Sequence, residues 1–158
     1  MIIDIFGVID EWYVSAKSIR EQLNNRKDDE EIQVYINSPG GSVFEGLAIY
    51  NLLAEYKPIV KIIGEASSIA SVIAMAGKEI WMAETALMLI HKPWTFAWGN
   101  ENDLDKIKEN LKTIKNSILI ASQRRTQMST DDLNELIDKE DYQEPSACLE
   151  MNLIDKIY

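Results

Sequence analysis

The chain has 158 residues, 46% of them apolar and 27% charged, with a formal net charge of −10. One compact domain is expected at this length, and so acidic a chain lacks the basic face that nucleic acid or an anionic membrane demands. No apolar run is long enough to span a bilayer, and no basic segment precedes an apolar stretch at the N-terminus, so a cytoplasmic protein is expected. The single cysteine, Cys148, excludes an internal disulfide; among Ala147, Leu149 and Met151 it reads as a buried structural thiol. One Cys and one His do not build a closed zinc site, and neither a metal nor a cofactor is expected.

Ile2-Ile-Asp-Ile-Phe6 alternates as a first strand that Gly7 ends. Residues 15–25 read as a helix with Ala16, Ile19 and Leu23 on one stripe, followed by a charged connection over 24–31. Residues 32–36 form a second strand and Asn37-Ser-Pro-Gly-Gly41 a strong turn signal. A helix over 43–56 places Phe44, Leu47, Ala48 and Leu52 inside, Pro58 closes it, and 59–63 is a third strand. The small-residue run 66–76 predicts a tightly packed helix ended by Gly77. Short strands follow at 79–82 and 86–90, then an aromatic segment, Trp94-Thr-Phe-Ala-Trp98. A long amphipathic helix is expected from about 102 to 127, its stripe of Leu104, Ile107, Leu111, Ile114 and Ile118 narrow enough to serve between helices. Helices at 131–138 and 146–151 complete the chain. Strands alternating with helices predict an α/β fold around a largely parallel sheet, with no repeat or linker to divide it.

Three segments carry chemistry only in combination. The Gly40-Gly41 turn between a strand and a helix can aim backbone N–H groups at a developing oxyanion, although a tight turn alone also asks for glycine. Ser67, Ser68 and Ser71 lie just past a strand end, where α/β sheets place their sites. Ser68 before an Ala-rich helix has the setting of a nucleophile elbow, with the Ile69 amide as a second oxyanion donor; plain helix capping by Ser67 or Ser68 is the competing reading. The only histidine, His91, follows an apolar strand, so any general base of imidazole type is this one. Asp138, Glu140 and Asp141 offer the acid that would hold the imidazole in its productive tautomer, in a chain whose carboxylates mostly need only solvent.

In this order these segments resemble the caseinolytic protease (ClpP) family, and within it the prophage head-maturation branch. The most specific pieces are Tyr35-Ile-Asn-Ser-Pro-Gly-Gly-Ser-Val43, Gly46-Leu-Ala-Ile-Tyr50, Gly64-Glu-Ala-Ser-Ser-Ile-Ala-Ser-Val-Ile-Ala-Met-Ala-Gly77 and Met88-Leu-Ile-His-Lys-Pro93. Trp94 with Ala97-Trp-Gly-Asn100 resembles the prophage branch in particular. The resemblance covers essentially the whole chain and implies a ClpP/crotonase-like ββα superhelix with a projecting long helix. It implies a serine endopeptidase with Ser68 as nucleophile, His91 as base and the amides of Gly41 (favoured over Gly40) and Ile69 as oxyanion donors. An ungapped count back from Leu153-Ile-Asp155 puts Glu140 where the ATPase-linked enzymes have Asp; a one-residue shift selects Asp141. The implied partners are a protein or peptide substrate, a phage capsid or scaffold protein for the prophage branch, and further copies of the chain in stacked rings. The chain starts directly at its first strand, without the N-terminal segment that forms axial loops in the ATPase-linked enzymes, which argues against an ATPase partner.

Three rival readings share the pattern. One is a catalytically inactive ring-forming scaffold of the same fold. Another is a serine–lysine peptidase with Lys92 or Lys78 as base. The third is a crotonase-fold acyl-CoA enzyme, which uses a backbone oxyanion hole without a serine nucleophile.

Overall fold

The computed structural model describes residues 1–28 and 30–158; Asp29, within the expected charged connection, lies outside the described residues. Strands β1 (Ile2–Ile9), β2 (Gln33–Gly41), β3 (Ile59–Ser67) and β4 (Glu79–Met82) lie side by side in chain order, with β6 (Lys156–Ile157) beside β4 at the far edge. Strand β5 (Leu87–Leu89) pairs with the C-terminal end of β3, beyond the stretch that β4 covers. Every one of these pairings is parallel, as the alternation of strands and helices predicts. Ile3, Ile5, Val34, Ile36, Val60, Ile62, Ile80 and Met82 are fully buried. Their spacing of two puts each pair on one face of its strand.

Helices α1 (Ala16–Asn24), α2 (Val43–Tyr56) and α3 (Ile69–Ala74) bury Ile19, Leu23, Ile49, Leu53 and Ile73 in the same core. Helix α1 starts at a capping box between Ser15 and Ser18. The Glu45 carboxylate of α2 accepts a hydrogen bond from the Ala16 amide at 2.7 Å, tying the two helix starts together. Across the sheet, Tyr35, Lys61, Trp81 and Lys156 are register partners. The Lys61 ammonium lies 5.2 Å from the Tyr35 ring centroid and 5.0 Å from that of Trp81, and Lys156 lies 4.5 Å from Trp81. This alternation of cations and aromatic faces links four strands.

Helix α4 (Glu101–Gln123) opens on a capping box between Asn100 and Asp103. Its buried residues, Ile118, Leu119, Ala121 and Ser122, all lie near its C-terminal end. The earlier part of its apolar stripe is less covered: Leu104 is exposed, and Ile107, Leu111 and Ile114 are half-buried. Helices α5 (Thr130–Lys139) and α6 (Pro145–Glu150) follow. No helix among the described residues is long and apolar enough to cross a membrane.

The structure corrects four expectations. Gly7 does not end β1; it adopts φ +79° at a register shift between Phe6 and Val8, and the strand resumes to Ile9. The expected turn at 37–41 is the extended end of β2, with Gly40 and Gly41 paired to Val8 and Ile9. The helix expected over 66–76 starts only at Ile69, because Ala66 and Ser67 pair with Met88 and Leu89. Phe44, expected inside, is 73% exposed on the first turn of α2, and β6 adds an edge strand too short to show in the sequence as a periodic run.

Candidate active site

Ser68 occupies the junction between β3 and α3, with φ 56° and ψ −130°. A non-glycine residue in this region costs of order 1–3 kcal/mol and persists only where its surroundings fix it. Here the Ser68 amide donates to the Leu89 carbonyl at 2.8 Å, and the Ser71 hydroxyl donates to the Ser68 carbonyl at 2.6 Å. Both backbone groups are held, and the sharp strand-to-helix turn is that of a nucleophile elbow. The Ser68 side chain makes no capping hydrogen bond to α3, and the Ser67 hydroxyl donates instead to Glu65 Oε2 at 2.8 Å. Helix capping therefore accounts for neither serine.

The end of β2 passes directly over this junction. A Cβ on Gly40 would lie 2.6 Å from Ser68 Cβ and 2.7 Å from the Ser67 carbonyl oxygen; one on Gly41 would lie 2.2 Å from the Ile9 carbonyl oxygen. Only glycine fits at either position, and both have positive φ, +93° and +147°. Ser38, fully buried, fixes the approach: its hydroxyl donates to the Gly7 carbonyl at 2.7 Å and accepts from the Gly40 amide at 3.1 Å. The Gly40 N–H is thus already satisfied within its own strand. Ile69 is the first residue of α3, where helix geometry leaves the N–H without an intrahelical partner.

Ser68, His91, Gly40 and Gly41 line one cleft of about 580 Å³, together with Glu65, Ser67, Pro39, Trp94 and Tyr142. His91 stands two residues beyond β5, half-buried. Among the described residues, Ser68 and His91 are not hydrogen-bonded to each other, and His91 has no carboxylate partner. Glu140 and Asp141 are exposed and do not line the cleft. Glu140 ends α5 with φ 53°. The chain then returns toward the site, since Gln143 and Met88 exchange backbone hydrogen bonds of 2.7 and 3.1 Å, and Tyr142 reaches the cleft wall. The sequence-predicted residues thus divide: nucleophile, base and glycines converge, Ile69 adjoins them, and both candidate acids stay at the margin. Lys78 pairs with Glu31 at 3.0 Å and Lys92 with Asp138 at 3.6 Å, and neither lysine lines the cleft.

Glu65 and Tyr142 line the cleft without having been expected there, whereas Ser67 is one of the three serines expected at the strand end. The signal for Glu65 was present: alternation along 65–67 puts it on the same face as Ser67 once β3 is carried through to Ser67.

Residues 3–158 match the sequence model of Clp protease. The chain belongs to the Clp protease family. It is 31% identical over 150 residues to the ATP-dependent Clp protease proteolytic subunit of Deinococcus radiodurans, covering 90% of this chain and 73% of that protein. It is 30% identical over 135 residues to ATP-dependent Clp protease proteolytic subunit 1 of Prochlorococcus marinus strain NATL2A, with 82% and 68% covered. Against the subunit 1 protein of strain MIT 9312 the identity is 31% over 140 residues, with 85% and 71% covered. The mixed α/β architecture with its parallel sheet is consistent with the fold of this family.

Proposed function

We propose that this protein is a serine endopeptidase acting through Ser68 and His91. The observation that carries the reading is the placement of Ser68. It sits at a positive-φ elbow with its hydroxyl free of any capping role, in one cleft with the only histidine of the chain. Family membership and the names of the relatives support proteolysis, and the engagement of Lys78 and Lys92 elsewhere favours histidine over lysine as base.

In the proposed reaction Ser68 Oγ attacks the scissile carbonyl while the His91 imidazole takes the hydroxyl proton. The oxyanion is held by the amides of Gly41 and Ile69, Gly40 being the weaker choice because its N–H already serves Ser38. The C–N bond breaks, His91 returns the proton to the leaving amine, and an acyl ester remains on Ser68. Water, deprotonated by His91, attacks the ester; the bond from the acyl carbon to Ser68 Oγ breaks, the acid leaves, and His91 returns the proton to Ser68 Oγ. Glu140 is the proposed acid behind His91, with Asp141 the alternative, both on the segment that leads into Tyr142. Catalytic hydrogen bonds commonly tighten only once substrate is bound, and the open Ser68–His91 geometry asks for this step.

The substrate proposed is a capsid or scaffold protein in phage head maturation, supported by the aromatic segment Trp94 and Ala97-Trp-Gly-Asn100. The proposed working form is a ring of copies, supported by the uncovered part of the α4 stripe. The rival reading, an inactive ring-forming scaffold, draws on the unclosed pair. Turnover of a casein or phage-scaffold substrate separates them: the peptidase reading expects cleavage that Ser68→Ala and His91→Ala each abolish. Undiminished turnover by a pure Ser68→Ala protein would refute it.

A further inference from the structure

Glu65 is the one carboxylate among the described residues lining the cleft, and no Lys or Arg lines it. On β3, Glu65 stands opposite Leu87 and Ser67 opposite Leu89. The two side chains therefore leave the strand on the same side, while Ala66 between them is fully buried. The residue is fixed at both ends. Its amide donates to Asn37 Oδ1 at 3.2 Å, and its Oε2 accepts from the hydroxyl of Ser67, itself only 3% exposed, at 2.8 Å. Among the described residues, Oε1 accepts no hydrogen bond and Glu65 forms no ion pair. A carboxylate anchored in this way, in a cleft without a neutralising cation, is complementary to an ammonium or guanidinium group and repels a second carboxylate.

Three residue steps lead from Glu65 to Ser68, a Cα–Cα span of about 10 Å. That is the reach of a glutamate and a lysine side chain set end to end. We propose that Glu65 is a specificity-determining residue, selecting substrates with Lys or Arg immediately on the acyl side of the scissile bond and rejecting Asp or Glu there. This rests on the peptidase reading. A purely structural role, holding Ser67 and through it the elbow, would be served equally by glutamine.

The test is labelling of the full chain by peptidyl diphenyl phosphonates that differ only in the residue bearing phosphorus: Lys, norleucine or Glu. Wild-type protein is expected to react at Ser68 roughly tenfold faster with the Lys probe than with norleucine, and slowest with Glu, as one charge-assisted hydrogen bond allows. In Glu65→Gln the Lys-to-norleucine ratio falls to about one, and Glu65→Lys reverses the order of the Lys and Glu probes. Labelling at Ser68 with equal rates in the wild type, or with an unchanged ratio in both variants, overturns the assignment of Glu65 alone. No labelling of Ser68 by any probe removes the peptidase reading and this inference with it.

Discussion

Gly46 of α2 faces Ile69 of α3 so closely that a Cβ on Gly46 would come within 2.1 Å of Ile69 Cγ1. The missing side chain lets the two helices meet, and it sets the position of the residue whose amide is the proposed second oxyanion donor. Gly46→Ala is expected to destabilise the fold by about 1–3 kcal/mol through overpacking. The penalty should shrink in a Gly46→Ala/Ile69→Ala double variant, where the clashing methylene is gone. Denaturant titration of the four proteins gives the coupling; strictly additive effects would mean that α2 and α3 relax apart freely.

Burial pushes the Cys148 thiol up from its ordinary value of 9.0 to about 12, and Cys148 has no exposed surface. Only about one thiol in 10⁴ is ionised at pH 8 under such a shift, so the native protein should resist iodoacetamide and react fully once denatured. The unfolded chain loses this proton near 9 while the folded chain keeps it to about 12. The unfolded state then binds fewer protons, and stability falls as pH rises through that window. Rapid alkylation of native protein would contradict the placement of this residue in the core.

Leu104 is 44% exposed on α4, and Ile107 and Leu111 line a groove of about 700 Å³ with Phe44, Trp94 and Phe96. Trp94 and Phe96 meet edge to face with ring centroids 5.4 Å apart. If the proposed ring contact uses this stripe, Leu104→Asp and Leu111→Asp should lower the mass seen by light scattering while leaving helix content unchanged. A wild-type mass equal to one chain would rule out the ring.

Most strands and helices were legible because their burial is periodic: Ile3 and Ile5, Val34 and Ile36, and Val60 and Ile62 announce half-buried strands, and the 104–118 stripe announces α4. The strand ends were not legible. Gly40 and Gly41 are turn signals by residue type, yet pairing with Val8 and Ile9 of β1 keeps them in the strand, while Gly7 sits at the register shift within β1. The run from Ala66 has helix-forming composition, yet pairing with β5 holds Ala66 and Ser67 in the sheet. Ser68, His91 and the two glycines, the residues proposed as nucleophile, base and turn, were readable because each sits at a strand end. The proposed acid was not, because Glu140 and Asp141 lie in the irregular connection between α5 and the Met88–Gln143 bridge. Glu65 was hidden by the early end assigned to its strand.

Ser68 and His91 are proposed to work as one hydrolytic unit. The decisive experiment is labelling of purified protein with a fluorophosphonate, mapped by mass spectrometry and repeated on His91→Ala. Adduct is expected on Ser68 in the wild type and is expected to be lost in His91→Ala. Adduct on another serine, or on Ser68 at an equal rate without His91, would contradict it.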